Sequence, residues 1–343
     1  MALIGLMKNR FISLALVLSC IAFTTNCDFK KKETETTVVQ PEAPAAAAVD
    51  APAFNPDSAY QYIVRQVNFG PRVPNSAAHV ACGDYLIAAL KSLGARVQVQ
   101  SFQSTAYDGK QLKLRNIVGS YNPGAANRIL LASHWDTRPF ADKDTLNPTK
   151  PSDGANDGAS GVGVLLEIAR VLHTARNNPG IGVDIILFDG EDYGNANGDT
   201  EGQTSWCLGS QYWAKNKHQN GYTANFGILL DMVGAKGAKF AQEGYSREFA
   251  PQVVSNVWNT ANRLGFSDYF IYAENGGITD DHYYMAQGGV PSIDIIDYDP
   301  TSPDGTFGKY HHRHTDNLSI IDKNTLKAVG QTLLQVIYNQ LAA

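Results

Sequence analysis

Two stretches decide the fold of this chain: ILLASHWD at residues 129–136 and VDIILFDGED at residues 183–192. Each is a short, continuous apolar run that ends in polar residues. Continuous apolar runs of this length are typical of central strands that are covered on both faces. Between them, apolar residues at helical spacing predict an amphipathic helix over 159–174. Strands that alternate with helices predict an α/β fold, with an open, largely parallel sheet sandwiched by helices.

The rest of the chain continues this alternation. Further strands are predicted at 97–102, 112–121, 227–232, 269–272 and 292–296. Further helices are predicted at 60–67, 77–93, 247–264, 280–287 and 322–341. No internal repeat interrupts the pattern, so residues 59–343 are predicted to form a single catalytic domain.

The composition is that of a soluble globular protein of enzyme size. Of 343 residues, 43% are hydrophobic and 18% are charged, which excludes a disordered chain, a fibre and a multi-span membrane protein. The net charge is −5, and no basic block is long enough to neutralise a phosphate backbone. Nucleic acid is therefore not an expected partner. Cys82 and Cys207 either form one bridge or remain separate buried thiols, and the sequence leaves both possibilities open.

The N-terminal segment is predicted to direct export. Lys8 and Arg10 precede an apolar run that is too short to span a bilayer, which is typical of a signal peptide. The residues around Cys27 resemble a bacterial lipoprotein signal, so 1–26 is predicted to be the signal and Cys27 the lipid-modified residue. An ordinary cleaved secretory signal is the alternative. Both place the protein in the bacterial cell envelope, in the periplasm.

Residues 27–58 are rich in Glu, Thr, Pro and Ala and contain little to bury. This composition predicts a flexible tether between the signal and the domain. Contact with a membrane is therefore expected only through a lipid anchor at Cys27, and the domain is expected to be a monomer.

Polar residues follow several of the predicted strands and the loops beside them. Because the carboxyl ends of parallel strands meet at one edge of a sheet, these residues are expected to converge there. Zinc takes about four N, O or S ligands, and one His with several carboxylates from separate loops can supply them. The residues concerned are His134, Asp136, Asp157, Glu191, Asp192, Asp231, His312 and His314.

The adjacent Glu191 and Asp192 are the most informative of these residues. One member of such a pair can bind the metal while the other moves protons, because a general base must not be a tightly held ligand. Asp189, at the start of the same loop, is predicted to be a turn former.

In its motifs the chain resembles the zinc aminopeptidase superfamily from residue 59 onward. The resemblance rests on SHWD (133–136), NDGASG (156–161), DGED (189–192) and HRHTDN (312–317). The likeness is closer to the glutaminyl cyclases, particularly those of Bacteroidetes-type bacteria, through HWDTRP (134–139), GEDYG (190–194) and TDDH (279–282). This resemblance implies a zinc-dependent glutaminyl-peptide cyclotransferase, which converts the N-terminal glutamine of peptides or proteins to pyroglutamate and releases ammonia.

The resemblance also implies roles for the residues at the metal. Asp157, Asp192 and His312 would hold one catalytic zinc ion, and Glu191 would be the general acid and base. The family spaces its ligand His four residues before an Asp-Asn or Asp-Thr pair, which selects His312.

Further roles are carried over to the residues around that metal. Asp231 and Asp280 would form a hydrogen-bond network with the catalytic acid, and Trp206 would stack on the substrate, although Trp206 could equally belong to the core. His311 stands where the family often has an aromatic lining residue.

Two other hypotheses remain open. In a di-zinc aminopeptidase, a second ion held by His134 and Asp231 would be bridged to the first by Asp157, and water would hydrolyse the first peptide bond. Asp192, where the peptidases typically have Glu, favours the cyclase. A lipid-anchored scaffold that has lost activity would show a damaged site, whereas every proposed role here still has a residue of suitable chemistry.

Overall fold

The computed structural model describes residues 50–176, 180–198, 204–299 and 307–340. The helices in this part of the chain are α1 (Pro56–Val67), α2 (Ala77–Ser92), α3 (Ser160–Thr174), α4 (Leu208–Lys215), α5 (Gly244–Phe249), α6 (Pro251–Arg263), α7 (Asp281–Gln287) and α8 (Lys323–Asn339). The strands are β1 (Arg96–Thr105), β2 (Gln111–Tyr121), β3 (Arg128–His134), β4 (Gly182–Phe188), β5 (Gly227–Asp231), β6 (Phe240–Gln242), β7 (Phe270–Glu274) and β8 (Ser292–Ile296). The predicted signal peptide and Cys27 lie outside the described residues.

Six of the strands form one open sheet in the order β1-β2-β4-β3-β5-β8. Strands β4, β3, β5 and β8 run parallel to each other, whereas β1 and β2 form an antiparallel pair at one side. All residues of β4 and β5 are buried, as expected of strands covered on both faces. The predicted α/β fold with a largely parallel, mixed sheet is confirmed.

Helices cover both faces of this sheet. On one face, apolar side chains of α1, α2, α3, α6 and α8 pack on alternate residues of the strands, such as Leu131 and Ile185. On the other face, Trp213 of α4 and Met285 of α7 pack on the intervening residues, such as Ile186. Because successive side chains of a strand point to opposite faces, one continuous apolar run supplies both layers.

The packed domain begins earlier than residue 59, where the sequence places the end of the tether. Asn55 caps α1, because its side chain accepts the amide protons of Asp57 and Ser58, and Pro56 occupies the first turn. Phe54 is 4% exposed and packs against Gly330 of α8, where an added Cβ would lie 2.1 Å from the Phe54 ring. The aromatic side chain therefore joins this segment to the core.

Two predicted elements differ from the structure. The helix predicted over 247–264 is divided into α5 and α6, since Ala250 has an extended φ of −146° and Pro251 begins a new helix. The strand predicted at 269–272 corresponds to β7, which pairs with the short β6 outside the central sheet. Phe270 is the one fully buried residue of β7, and the residues after it are half-buried or exposed, so this strand is less covered than β4 and β5.

Cys82 and Cys207 are both buried and are not bridged. The sequence left this question open, and the structure selects separate thiols. Among the described helices, none combines the length and the apolar character needed to cross a bilayer.

Candidate active site

The site lies at the carboxyl edge of the parallel strands. His134 ends β3, Asp231 ends β5, and Glu191 and Asp192 occupy the loop after β4. Atom Nε2 of His134 lies 3.1 Å from an oxygen of Asp231 and 3.1 Å from an oxygen of Asp157. The strand topology therefore brings residues that are almost a hundred positions apart into contact, as their places after the strands predict.

A second group of donors lies beside the first. Atom Nε2 of His312 lies 3.4 Å from Oδ1 of Asp192. Nitrogen and oxygen donors of Asp157, His311 and His312 lie within 4.8 Å of one another. Asp157, Asp192 and His312, which the resemblance selects as ligands, are thus brought together around one region of the site.

The donors of Asp192 and His312 fit a bound zinc ion. Two ligands of one tetrahedral zinc ion, each about 2.1 Å from the metal, lie about 3.4 Å apart. Asp192 is 2% exposed, and neither of its carboxylate oxygens accepts a hydrogen bond from any described residue. Buried polar atoms are costly without a partner. A cation bound between Asp192 and His312 would give this carboxylate a partner.

Charges at the site favour a cation as well. Burial raises the pKa of the Asp192 carboxyl, and the nearby Asp157 carboxylate raises it further. Burial also raises the pKa of Asp157, but the hydrogen bond and charge of His134 outweigh this effect and hold the pKa well below its ordinary value. Burial lowers the pKa of His312, whereas Asp142 and Asp192 outweigh it and raise the pKa to about 9.

Glu191 lies beside these donors and is held by other contacts. Its Oε1 accepts a hydrogen bond from the Cys207 thiol, with Sγ at 3.4 Å, and its Oε2 lies 3.9 Å from Nδ1 of His134. Burial raises the pKa of the Glu191 carboxyl well above its ordinary value, and the nearby Asp280 and Asp192 raise it further. A carboxyl with a raised pKa is suited to exchanging protons near neutral pH.

The main chain around Glu191 is fixed on both sides. Carboxylate oxygens of Asp136 accept the amide protons of Glu191 at 3.1 Å and Asp192 at 3.2 Å. The chain then returns across the same loop, where the amide of Cys207 donates to the Glu191 carbonyl at 2.9 Å and that of Leu208 donates to Gly190 at 3.1 Å. The catalytic candidate therefore has an anchored backbone.

Asp231 and Asp280 share the environment of Glu191. Burial raises the pKa of Asp231 to about 7, although the hydrogen bond from His134 acts in the opposite direction. Burial also raises the pKa of Asp280, which caps α7. A carboxylate oxygen of Asp280 lies within 4.8 Å of a carboxylate oxygen of Glu191 and of the Cys207 sulfur. Closely placed buried carboxyls of this kind share protons.

A cavity of about 620 Å³ opens onto these groups. Trp206 lines it and stacks on the His312 ring, with 5.8 Å between the ring centroids and 10° between the planes. The Arg138 guanidinium lies 4.5 Å from the Trp206 centroid and donates to the carbonyls of Asp192 and Gly194. Trp206 is therefore a wall of the cavity and not a member of the core.

Several residues that organise the site carry no role in the sequence-based assignment. Asp136 holds the loop that contains Glu191, and Asp316 accepts the amide protons of Asn156 and Asp157 at 2.7 and 3.1 Å. Its position directly after β3 predicts that Asp136 converges on this edge of the sheet, but not that it anchors the loop of Glu191. Asp316 lies in the motif used to choose His312, but its contact with the Asp157 loop cannot be deduced from spacing.

The prediction for Asp189 is wrong. Its carboxylate is fully buried, with its two oxygens 2.8 and 3.0 Å from Nε2 of His79, and it accepts the Arg115 amide at 2.7 Å. Its side chain binds residues of α2 and β2, whereas the side chain of a turn former would accept hydrogen bonds from the amides of its own loop. The sequence alone does not distinguish an aspartate that forms a turn from one that pairs with a distant histidine, so the role of Asp189 is visible only in the fold.

A buried cluster of carboxylates and imidazoles at the carboxyl edge of a mixed sheet is typical of a metal-dependent enzyme. The model of Peptidase family M28 matches residues 116–337, and the chain belongs to this family.

Two kinds of solved structure are similar to this chain. A Tannerella forsythia glutaminyl cyclase shares 54% identity with a TM-score of 0.80, and the match covers 84% of this chain and 99% of that one. A Zn-dependent exopeptidase from Parabacteroides distasonis also shares 54% identity, with a TM-score of 0.81 over the same shares of the two chains. The resemblance to bacterial glutaminyl cyclases that the motifs indicate is confirmed.

A more distant relative has the same activity in its name. The glutaminyl-peptide cyclotransferase of Drosophila melanogaster is 24% identical over 278 residues, which cover 74% of this chain and 73% of the fly protein. The likeness therefore extends over most of both chains, beyond the short motifs.

Proposed function

We propose that this protein is a zinc-dependent glutaminyl-peptide cyclotransferase that acts on peptides or proteins with N-terminal glutamine. One observation carries the proposal over its rival: a solved bacterial glutaminyl cyclase is 54% identical to this chain over 84% of its length. The donor atoms of His134, Asp157 and Asp231 lie within 4.8 Å of one another, so the number of metal ions is decided by measurement. A site with one ion and a free acid suits cyclisation, in which the nucleophile belongs to the substrate and no metal-activated water is required.

One zinc ion held by Asp157, Asp192 and His312 is the proposed cofactor. When bound, it would polarise the γ-amide carbonyl of the glutamine side chain. Second contacts orient these ligands: Asp316 accepts the backbone amide of Asp157, and Asp142 lies 3.4 Å from Nδ1 of His312.

Glu191 is the proposed carrier of the proton. The α-amine of the substrate attacks the γ-amide carbon, so a carbon–nitrogen bond closes the five-membered ring while the bond to the amide nitrogen breaks. Glu191 removes a proton from the attacking amine and delivers it to that departing nitrogen, which leaves as ammonia. Asp231 and Asp280 are proposed to share protons with Glu191 and thereby to set its protonation state.

Trp206 is proposed to pack against the glutamine side chain. It forms a wall of the cavity beside His312 and is itself fixed by the Arg138 guanidinium. A closed wall holds the flexible glutamine side chain in attacking geometry and keeps water away from the reacting carbon.

Mass spectrometry of a peptide that begins with glutamine tests this proposal. Loss of one ammonia from the intact peptide supports the cyclase. Release of free glutamine and a shortened peptide identifies an aminopeptidase. Zinc analysis of the purified protein provides a second test, because one ion per chain supports the proposed site and two ions support the rival.

The aminopeptidase is kept as a second candidate because the Parabacteroides distasonis structure at 54% identity is described as a Zn-dependent exopeptidase. In that reading, His134 and Asp231 bind a second zinc ion that Asp157 bridges to the first. The substitution His134→Gln separates the candidates: it removes a metal ligand from a two-ion site but only a hydrogen bond from a one-ion site.

We also propose that the protein is exported and anchored in the cell envelope through a lipid on Cys27, and that its domain is monomeric. The charged start, the short apolar run and Cys27 support this. Metabolic labelling with a fatty-acid analogue in a bacterial host should label the wild type and not Cys27→Ser. Sedimentation of the soluble domain reports its oligomeric state.

A further inference from the structure

A lysine outside the cavity contacts a histidine that lines it. Nζ of Lys143 lies 2.6 Å from Nδ1 of His311. The lysine is fixed at its base, because its amide donates to the carbonyl of His312 at 3.3 Å. The next residue holds the same two segments together, since a carboxylate oxygen of Asp144 accepts the amide of His314 at 3.0 Å.

This contact determines which ring nitrogen of His311 carries the proton. An ammonium group has three donors and no acceptor, so Nδ1 of His311 accepts the hydrogen bond from Lys143. The proton of the neutral imidazole is then on Nε2. Nε2 of His311 is consequently a hydrogen-bond donor. Among the described residues, none accepts a hydrogen bond from it.

The ring of His311 packs among other residues that line the cavity. It lines the cavity, with its centroid 3.7 Å from that of His312 and 4.5 Å from that of Phe307. One of its nitrogens lies within 4.8 Å of a donor atom of Asp157. The ring is therefore held beside the proposed metal ligands, and the aromatic contacts limit its rotation.

The same cavity is rich in acceptors. In their ionised form its carboxylates are suited to the amine, the amide nitrogen and the ammonia of the proposed reaction, and in that form they repel a carbonyl oxygen. They are Asp157, Glu191, Asp192, Asp231 and Asp280. A peptide substrate also brings the main-chain carbonyl of its first residue, and a buried carbonyl needs a donor.

We propose that His311 binds this carbonyl: Nε2–H of His311 donates to the main-chain carbonyl oxygen of the N-terminal residue, and Lys143 is a positioning residue that fixes the imidazole tautomer. The inference rests on the proposed function for the identity of the substrate. It makes the first peptide carbonyl a recognition element, so peptides are preferred over glutamine derivatives that lack it.

A matched pair of substrates tests the proposal. One is a peptide that begins with Gln-Ala, and the other is its reduced analogue, in which the first peptide carbonyl is replaced by CH₂. The variant His311→Phe keeps an aromatic ring without a donor. Lys143→Met keeps the aliphatic stem without the ammonium, and Lys150→Met is the control because Lys150 is an exposed lysine of the same loop.

We expect His311→Phe to lower kcat/KM for the peptide about tenfold, mainly through KM, and to leave that for the reduced analogue within about twofold, since one hydrogen bond is lost. Lys143→Met should lower the same ratio about threefold, and Lys150→Met should not change it. An equal loss for both substrates, or no loss for either, would overturn the proposal.

Equilibrium binding repeats the comparison without turnover. Calorimetry on the Glu191→Gln protein, with and without His311→Phe, measures the affinity for both molecules. A difference between the peptide and the reduced analogue that disappears with His311→Phe supports the proposal, and an unchanged difference overturns it. A wild type that releases no ammonia would contradict the proposed function, whereas this binding result would still decide the role of His311.

Discussion

Two buried His–Asp pairs lie at opposite ends of the short loop after β4, and they differ in how fully their polar atoms are satisfied. His79 Nε2 lies 2.8 and 3.0 Å from the two oxygens of Asp189, and one of these oxygens also accepts the Arg115 amide. His312 Nε2 lies 3.4 Å from Asp192, whose carboxylate accepts no hydrogen bond from the described residues. The first pair is closed, and the second leaves room for an ion.

Aromatic packing does not distinguish the two pairs. Trp135 stacks on His79 at 4.4 Å with an angle of 10°, and Trp206 stacks on His312 at 5.8 Å with the same angle. The distinction lies in the hydrogen bonds alone. A His and an Asp that satisfy each other stabilise the fold, whereas a pair with unsatisfied oxygens at ligand spacing indicates a metal centre.

The largest expected effect comes from the open pair. Asp192→Asn should remove zinc and lower ammonia release from a glutamine peptide at least about 1,000-fold, because the amide is a poor ligand and the metal polarises the reacting carbonyl. Zinc analysis and an ammonia assay measure both results. Stability of the zinc-free protein should not fall, since the substitution removes an unsatisfied buried carboxyl. A marked loss of that stability would contradict the comparison.

The matched substitution in the closed pair should act on folding. Asp189→Asn leaves His79 without its carboxylate and should lower the free energy of unfolding by about 3 kcal/mol, as expected when one partner of a buried pair is removed. Denaturant titration measures this change. Zinc content per folded chain should remain at the wild-type level. Loss of zinc without loss of stability would show that the His79–Asp189 pair supports the metal and not the fold.

A third pair, of His282 and Glu243, extends the comparison to the effect of pH. His282 Nε2 lies 3.0 Å from Glu243, which also accepts the amides of Tyr245 and Ser246. Burial raises the pKa of Glu243, but the hydrogen bond from His282 outweighs it and lowers the pKa to about 2. Because the folded-state pKa lies below the ordinary value of about 4.5, the ionised form stabilises the fold above that value, and the stabilisation is lost as pH falls towards 2.

We therefore expect the stability difference between wild type and Glu243→Gln to be about 2 to 3 kcal/mol at neutral pH and to narrow below pH of about 4.5. Urea titrations of both proteins from neutral to acidic pH measure it. A difference that stays constant with pH would mean that the charge of Glu243 makes no contribution.

The smallest expected effect concerns Glu191, which lies between Asp189 and Asp192 in the same loop. Cys207→Ala removes the thiol donor from Glu191 and should lower kcat about fivefold, which corresponds to about 1 kcal/mol for one weak hydrogen bond. Cys207→Ser keeps a donor and should retain more of the activity, and Cys82→Ala is the control for loss of a buried thiol. Equal kcat values for the Ala and Ser variants would argue against the contact.

The central strands and the residues after them could be predicted from the sequence. Continuous apolar runs identify β3, β4 and β5, and the polar residues that follow them converge because parallel strands end at one edge. His134 and Asp231 meet for this reason.

Other features could not be predicted, because they depend on partners far away in the chain. Asp189 resembles a loop residue until α2 brings His79, which is 110 positions away, against it. The tautomer of His311 depends on Lys143, 168 positions away. Local propensity and periodicity contain no information about such contacts, so the roles of these residues appear only in three dimensions.

The return of the chain across Glu191 has an evolutionary consequence. The amides of Cys207 and Leu208 bind the carbonyls of Glu191 and Gly190, and the amide of Asn195 donates to Ser205 at 2.7 Å. A hydrogen bond thus joins the two ends of the connection between Asn195 and Ser205. Insertions or deletions between these two residues need not displace Glu191, the proposed proton carrier, so related chains can vary here while the acid keeps its place.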